Sequence, residues 1–338
     1  MKDIIGIGRA LMDGYVYDEV HLPFFESILG GLTKGCKHYK LSHEQAKKIL
    51  YKFSPLNFHQ GGAVANTLAC CSRLGCSTTF VGDVGKDELG DIFISSIILA
   101  GVNPIVSFHD DLSTGFTFLL NYPERDIRIG LFYYGSTDAF ENENKVLQEV
   151  KDHKVLYSSA YEFIDPLKIH MKNIFIHPSV KRPELLKVLN LGGYSKETLR
   201  NKLSELDEIL SKKTFDIISG NEEEYLKLFE VKKIDEETLK RVRNITSIGI
   251  ITRGVNGSII VESESEHYIP SYRKLSLSTT IGLGDAYLAG FLDKILKNSD
   301  ATEAGYEGAY QAYLKAEENN NKNNLILEQN HNPLDKYK

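Results

Sequence analysis

The chain has 338 residues, 42% of them hydrophobic, and a net charge of −6, enough for one large α/β domain with a sizeable core. Its basic residues are scattered rather than clustered, which argues against nucleic acid or an anionic membrane as partner. The four cysteines, Cys36, Cys70, Cys71 and Cys76, form no C-x-x-C pair and read as reduced thiols of a cytoplasmic protein rather than a metal site.

Residues 3–8 predict a buried strand ending in glycine. Arg9 and Asp13 interrupt this first apolar run, which argues against a signal peptide. The Gly6-x-Gly8 pair starts like a dinucleotide fingerprint, but Leu11 stands at the third glycine position and the motif fails. Asp13 falls just past the strand, where α/β sheets bind ligands, or else it caps a turn. Tyr15, Val16 and Tyr17 fit a strand of a small accessory sheet. Residues 30–37 approach a P-loop, with Cys36 where the lysine is needed.

Residues 41–50 predict a helix with Ser42 as cap and Gln45 closing a capping box. Gly61-Gly62 opens another helix, whose buried face includes Val64, Leu68 and Cys71. Asn66 is a poor helix former that shares the start of that helix with Gly62. It suits a hydrogen bond to a ligand hydroxyl, or a place on the surface. Residues 77–81 read as a strand, and 82–90 as a turn and a helix capped by Asp87. Residues 92–102 are apolar but too few to span a bilayer.

Residues 114–120 and 127–132 predict a hairpin that interrupts a βα rhythm, as a lid would. Residues 155–159 and 174–176 resume the rhythm as short parallel strands, and 196–210 form an amphipathic helix. Residues 215–224 run from a strand into an acidic helix start, which negative side chains favour electrostatically. Strands at 248–252 and 258–261 flank Arg253-Gly254-Val255-Asn256-Gly257, which is turn chemistry. Helices follow from Asp285 and over 301–318. Residues 319–338, with an asparagine run at 319–324, predict a polar tail mobile at least in that run. The alternation implies an α/β fold, with a mostly parallel sheet and helices on both faces.

Gly282-Leu283-Gly284-Asp285 is the most informative stretch. Two glycines precede a lone carboxylate, and Leu288, Ala289, Leu292, Ile295 and Leu296 follow at helical spacing. First-turn N–H groups of a helix have no partners of their own, and the dipole favours anions there. An anion hole holding an acid suits phosphoryl transfer to an alcohol. A glycine-bounded loop capped by Asp285 is the plainer reading.

Four separated motifs together resemble the ribokinase-like, PfkB-type carbohydrate kinases. They are Gly61-Gly62 with Asn66 and the following Gly82-Asp83-Val84-Gly85, Asn221-x-x-Glu224, Thr252-x-Gly254-x-x-Gly257, and Gly282-x-Gly284-Asp285. Residues 22–26 through 50, and Thr114-Gly115 with its hairpin, look most like the adenosine-kinase branch. The resemblance implies a three-layer ribokinase-like fold with a small β lid. It implies one kinase domain over residues 1–318, with lid segments within about 14–56 and 108–134, followed by the tail 319–338.

The resemblance also implies roles. Asp285 is the general base that takes the acceptor proton, and Gly282, Leu283 and Gly284 supply the anion hole. Asp13, Gly61, Gly62 and Asn66 hold the acceptor. Asn221, Thr252, Gly254 and Gly257 serve ATP, and Glu224 organises Mg²⁺ through water. ATP and Mg²⁺ are the implied cofactors, with a monovalent cation as a further possibility. The implied partner is a small sugar or nucleoside acceptor, with the chain as monomer or homodimer. The sequence departs from the pattern at Arg9 (commonly Asn), Ala63 (often Ser), Thr279-Thr280-Ile281 (usually led by Asp) and Leu283 (usually Ala). Ile281 and Leu283 motivate a second reading, a catalytically silent sugar- or nucleoside-binding relative.

Overall fold

Strand β1 (Lys2–Ile7) shows how the sheet is made. Ile4 points into one apolar cluster and Ile5 and Ile7 into another, and all three are inaccessible. Successive side chains of a strand face opposite ways, so a strand apolar on both faces must be covered on both. Phe80 and Val81, and Ile217 and Ile218, divide between the same two clusters. The computed structural model describes residues 1–16, 18–32, 35–53, 58–122, 125–164, 166–192, 204–273 and 280–330.

In chain order after β1 come β2 (Leu11–Val16), α1 (Leu22–Leu29), β3 (Gly35–Lys40), α2 (His43–Lys52), β4 (Phe58–Gln60) and α3 (Ala63–Arg73). Next are β5 (Thr78–Gly85), α4 (Glu88–Leu99), β6 (Val102–His109), β7 (Gly115–Tyr122), β8 (Ile127–Tyr133), α5 (Glu143–Glu149) and β9 (His153–Ser159). Then follow α6 (Lys168–Ile176), β10 (Leu186–Asn190), α7 (Ser204–Ser211), β11 (Phe215–Asn221), α8 (Glu222–Leu228) and α9 (Glu236–Ile245). The series closes with β12 (Thr246–Thr252), β13 (Ser258–Val261), β14 (Glu266–Ile269), α10 (Leu283–Leu296) and α11 (Ala301–Asn330).

The large sheet has nine strands in the order β14-β13-β12-β11-β10-β9-β1-β5-β6. It is parallel from β12 to β6, with β13 and β14 antiparallel at one edge. A second sheet, β3-β8-β7-β2-β4, forms the lid. This is the α/β, ribokinase-like layering with a small β lid that the sequence implies. The chain passes into the lid straight after β1, so the lid already starts at Leu11, and it reaches Gln60. Residues 17, 33–34, 54–56 and 123–124 of the expected lid, 196–203 of the expected amphipathic helix, Thr279, and 331–338 of the expected tail lie outside the described residues.

Several expectations need correction. Residues 174–176 end helix α6 instead of forming a strand. Met171, Ile174 and Phe175 bury one helical face, and the strand at this place is β10. Strand β5 runs on to Gly85, where a turn was expected. Gly82 is there because a Cβ would stand 2.6 Å from the Gly8 carbonyl of the neighbouring turn, a close backbone approach. Asp13 is not at a turn but within lid strand β2, opposite Thr117 of β7. The final helix does not stop at 318 but continues through the asparagine run to Asn330. Asn319, the first of the run, donates to the Ile281 carbonyl at 3.0 Å, a tether that offsets the weak helix propensity of asparagine at that position. The predicted caps are formed at Ser42, with Gln45, and at Asp87.

Candidate active site

Helix α10 is preceded by Gly282 in the left-handed region (φ 74°). That turn aims the first-turn N–H groups of Leu283, Gly284 and Asp285 toward a cleft between body and lid. Among the described residues, Leu283 N–H makes only a long 3.4 Å bond, to the Thr280 carbonyl. Nothing lies within 4 Å of where a Cβ on Gly284 would stand, so the backbone there is open to a ligand. The cleft has a cavity volume of about 960 Å³.

Asp285 is half-buried on its floor. Thr67 Oγ1 and Asn190 Nδ2 both donate to its Oδ1, at 3.3 Å each. The Asn66 side chain also favours the charged form of this carboxylate, and its Oδ1 accepts from Gln60 Nε2 at 3.0 Å. Burial pushes the Asp285 carboxyl up to about 7, against the hydrogen bonds from Thr67 and Asn66. Glu224 raises it further and Lys315 opposes. Behind it, Tyr157 OH and Thr67 Oγ1 are 3.0 Å apart.

Asp13 faces the same cleft from the lid. Burial raises its carboxyl to about 7 as well, against a hydrogen bond from Thr117 and with a contribution from Asp285. The charge of Asp285 therefore reaches Asp13 across the cleft. Gly61 makes room for Asp13, because a Cβ there would stand 2.4 Å from its Oδ2. Gly62, at φ 84°, closes on the Arg9 carbonyl. Gly61 thus packs against Asp13, and Asn66 is held by Gln60 beside Asp285.

The opposite wall carries Asn221, Glu224, Thr252 and Gly254. Asn221 and Glu224 form a reciprocal capping box on α8. Glu224 N donates to Asn221 Oδ1 at 2.9 Å, and Asn221 N to Glu224 Oε2 at 2.8 Å. Gly254 has φ 56° with nothing near its Cβ position. Gly257 is different: a Cβ would strike the Ile269 carbonyl at 2.0 Å, so this glycine serves the β13–β14 packing. It lines a smaller adjoining pocket of about 140 Å³, together with Val255, Tyr272, Tyr287, Ala309 and Tyr313. Leu283 stands between the two cavities.

The other end of the cleft is built from residues the sequence did not mark as site residues. Arg9, 2% exposed, lies 4.6 Å from the centre of the Tyr134 ring and 5.8 Å from that of Tyr161. Its guanidinium is 3.2 Å from Asp138 Oδ1 and 3.6 Å from Glu162 Oε2. The two tyrosine hydroxyls meet at 2.5 Å, and Lys40 reaches Asp138 at 3.3 Å. Lys40, Tyr134 and Asp138 come with the lid; Arg9, Tyr161 and Glu162 belong to the body. Asn190 and Thr67 were also missed. Asn190 ends a strand assigned to the wrong residues, and Thr67 reads as one more small helix residue.

A carboxylate in this setting can accept a proton, and the amides beside it can hold an anion. Among the described residues no group of three His, Cys, Asp or Glu could cage a metal, and Cys70, Cys71 and Cys76 are free thiols. One wall carboxylate is still the donor set Mg²⁺ uses when phosphates and water complete its shell. Glu224 fits that requirement. No helix among the described residues is long and apolar enough to cross a membrane.

The chain matches the profile described as pfkB family carbohydrate kinase over residues 34–326. It is 24% identical to a 5-dehydro-2-deoxygluconokinase of Clostridium botulinum, over 84% of this chain and 89% of that one. It is 22% identical to an adenosine kinase of Schizosaccharomyces pombe, over 83% and 88%. Its fold matches the crystal structure of adenosine kinase from Sinorhizobium meliloti with a TM-score of 0.77, at 22% identity over 92% of both chains. A probable sugar kinase from Rhizobium etli gives a TM-score of 0.75 at 23% identity, again over 92% of both.

Proposed function

Because the chain belongs to the pfkB family of carbohydrate kinases, phosphotransferases acting on a sugar or nucleoside, we propose that it moves the γ-phosphoryl group of ATP onto an acceptor alcohol with Asp285 as general base. The acceptor hydroxyl lies between Asp13 and Asp285. Asp285 takes its proton as the oxygen bonds to the γ-phosphorus, and the bond to the ADP oxygen breaks in line. The amides of Leu283 and Gly284, exposed by the Gly282 turn, bind the oxygens of the phosphoryl group in flight. Catalysis here is mostly positioning and charge stabilisation.

Asn221, Thr252 and Gly254 line the phosphate path. The smaller pocket, walled by Tyr272 and Tyr313, suits the planar base. When bound, Mg²⁺ would neutralise phosphate charge, with Glu224 holding it through water. A monovalent cation is a further cofactor of this reading, and rates in K⁺ against Na⁺ test it. Every residue invoked comes from one chain, so a monomer suffices and a homodimer is compatible. Free thiols at Cys70, Cys71 and Cys76 and the use of ATP support a cytoplasmic setting.

One observation carries the reading: Asp285 sits at a helix start whose amides face the same cleft as Asp13. ADP release from ATP and Mg²⁺, followed across sugars, sugar acids and nucleosides, tests it. Acceptor-dependent release, with the product phosphorylated on a hydroxyl, is expected. Saturable acceptor binding without any turnover would replace the kinase by a sensor of the same ligands.

A further inference from the structure

The loop that opens α10 is held from behind by the last helix. Asn319 Nδ2 donates to the Ile281 carbonyl at 3.0 Å. Lys315, one turn earlier on the same face of α11, lays its Cε 3.4 Å from where a Cβ on Gly282 would be. Within the loop the Leu283 N–H makes a long 3.4 Å bond to the Thr280 carbonyl, and Ile281 is 47% exposed. The Asn319 bond and the Lys315 contact brace the anion-hole backbone from a neighbouring helix.

We propose that Lys315 and Asn319 are positioning residues for phosphoryl transfer: Asn319 fixes the loop bearing the anion-hole amides, and Lys315 supplies positive charge behind Gly282. This rests on the kinase reading of the cleft. Negative charge on the transferring group is spread over oxygens that face the loop, and a fixed cation beside them needs no reorganisation when that charge shifts. Lys315 Nζ is 3.0 Å from Glu318 Oε2, and its side chain is 21% exposed. Glu318 is shared with Arg73 at 4.0 Å, and Arg73 also donates to Cys70 Sγ at 3.1 Å. Lys315 thus belongs to a small cluster under the loop in which Glu318 carries two cations. Asp285 feels Lys315 as a cation and Glu224 as an anion. It in turn acts on Asp13, Tyr157 and Cys70. Those are the charged and titratable neighbours it meets from β2, α3, β9, α8 and α11.

The test compares Lys315→Met, Lys315→Arg and Asn319→Ala with the parent chain. Lys315→Met should lower kcat about 10-fold with acceptor KM within about 2-fold, and Lys315→Arg should restore most of it. The acid limb of kcat/KM should move to higher pH in Lys315→Met, since a lost cation makes Asp285 harder to ionise. Parent-like kcat and an unmoved limb, or equal losses in Met and Arg, would overturn the role of Lys315. Hydrogen exchange needs no acceptor: in Asn319→Ala the amides of 281–286 should exchange about 10-fold faster while the rest of α10 is unchanged. Unchanged exchange there would overturn the role of Asn319. A parent that turns over no acceptor refutes the kinase reading on its own. An active parent with parent-like Lys315→Met and Asn319→Ala variants refutes only this inference.

Discussion

The two ends of the cleft are made in different ways. At the phosphoryl end the working groups are backbone amides at one helix start, and Gly282 to Asp285 are consecutive in the chain. At the other end, where the proposed reading puts the body of the acceptor, the groups are side chains from separate segments: Arg9, Lys40, Tyr134, Asp138, Tyr161 and Glu162. Anion binding by a helix start is local physics, set by a turn and a few residues. The second cluster is assembled across a body–lid boundary and depends on the whole topology. The difference implies that the first end should fail through chemistry and the second through folding.

The largest effect expected is at the first end. Asp285→Asn keeps the side chain's shape but removes the base, so kcat should fall by about 10²–10⁴-fold with acceptor KM nearly unchanged. Parent-like turnover in the purified variant would remove Asp285 from the mechanism. The matching break at the second end is Arg9→Met, which leaves Asp138 and Glu162 without their buried cation. Removing one partner of such a pair costs about 3–5 kcal/mol, so the midpoint of denaturant unfolding should drop sharply. Neutralising both acids as well, with Asp138→Asn and Glu162→Gln, should recover much of that loss. If Arg9→Met unfolds like the parent but phosphorylates poorly, the acceptor end acts by chemistry and the contrast fails.

The same contrast explains what the sequence reveals. Gly282, Gly284 and Asp285 are legible because their geometry is written in neighbouring residues. The capping boxes at Ser42 and Asn221 are legible for the same reason. Arg9 is visible only as a departure from a pattern. Its partners, Asp138 and Glu162, come from distant segments, and no spacing in the sequence connects them. Asn190 is hidden by a different ambiguity. Ile174-Phe175-Ile176 is apolar enough to be a strand, whereas β10 carries Lys187 and a terminal Asn. Short apolar runs do not separate strand from buried helix. Asn319 is concealed by composition, since an asparagine run reads as a tail until a helix surface gives it something to hold.

A pH profile sharpens the comparison further. Asp285 and Asp13 are each pushed up to about 7 by burial, so kcat/KM should fall as pH drops below about 7 and level off above it. Asp285 contributes to the rise of Asp13, so the limb carries both acids. Stability should run the opposite way. A carboxyl whose folded pKa lies above its unfolded value of 3.8 stabilises fully below that value, and the contribution is lost as pH rises through about 7. At pH 8 the ionised pair should therefore cost the fold on the order of 2 kcal/mol, discounted for its open face to the cleft. Asp13→Asn should raise Tm at pH 8 and leave it unmoved near pH 3. An equal shift at both values would show that the gain is not electrostatic.

The smallest effect separates two jobs of one residue. Glu224 closes the α8 capping box and also faces the cleft. Asn221→Ala removes the reciprocal cap and should cost about 1 kcal/mol of stability, with the Mg²⁺ dependence of the rate little changed. Glu224→Gln keeps an oxygen for the Asn221 N–H but removes the charge. Its stability should stay near that of the parent, while half-maximal Mg²⁺ rises about 10-fold. If Glu224→Gln leaves the Mg²⁺ titration where it was, the carboxylate is only a cap, and the phosphate wall depends on backbone alone, like the hole at Gly282. If Asn221→Ala shifts the titration as strongly as Glu224→Gln does, the cap is what aims the carboxylate. The phosphoryl end would then depend on a side-chain network after all, as the acceptor end does.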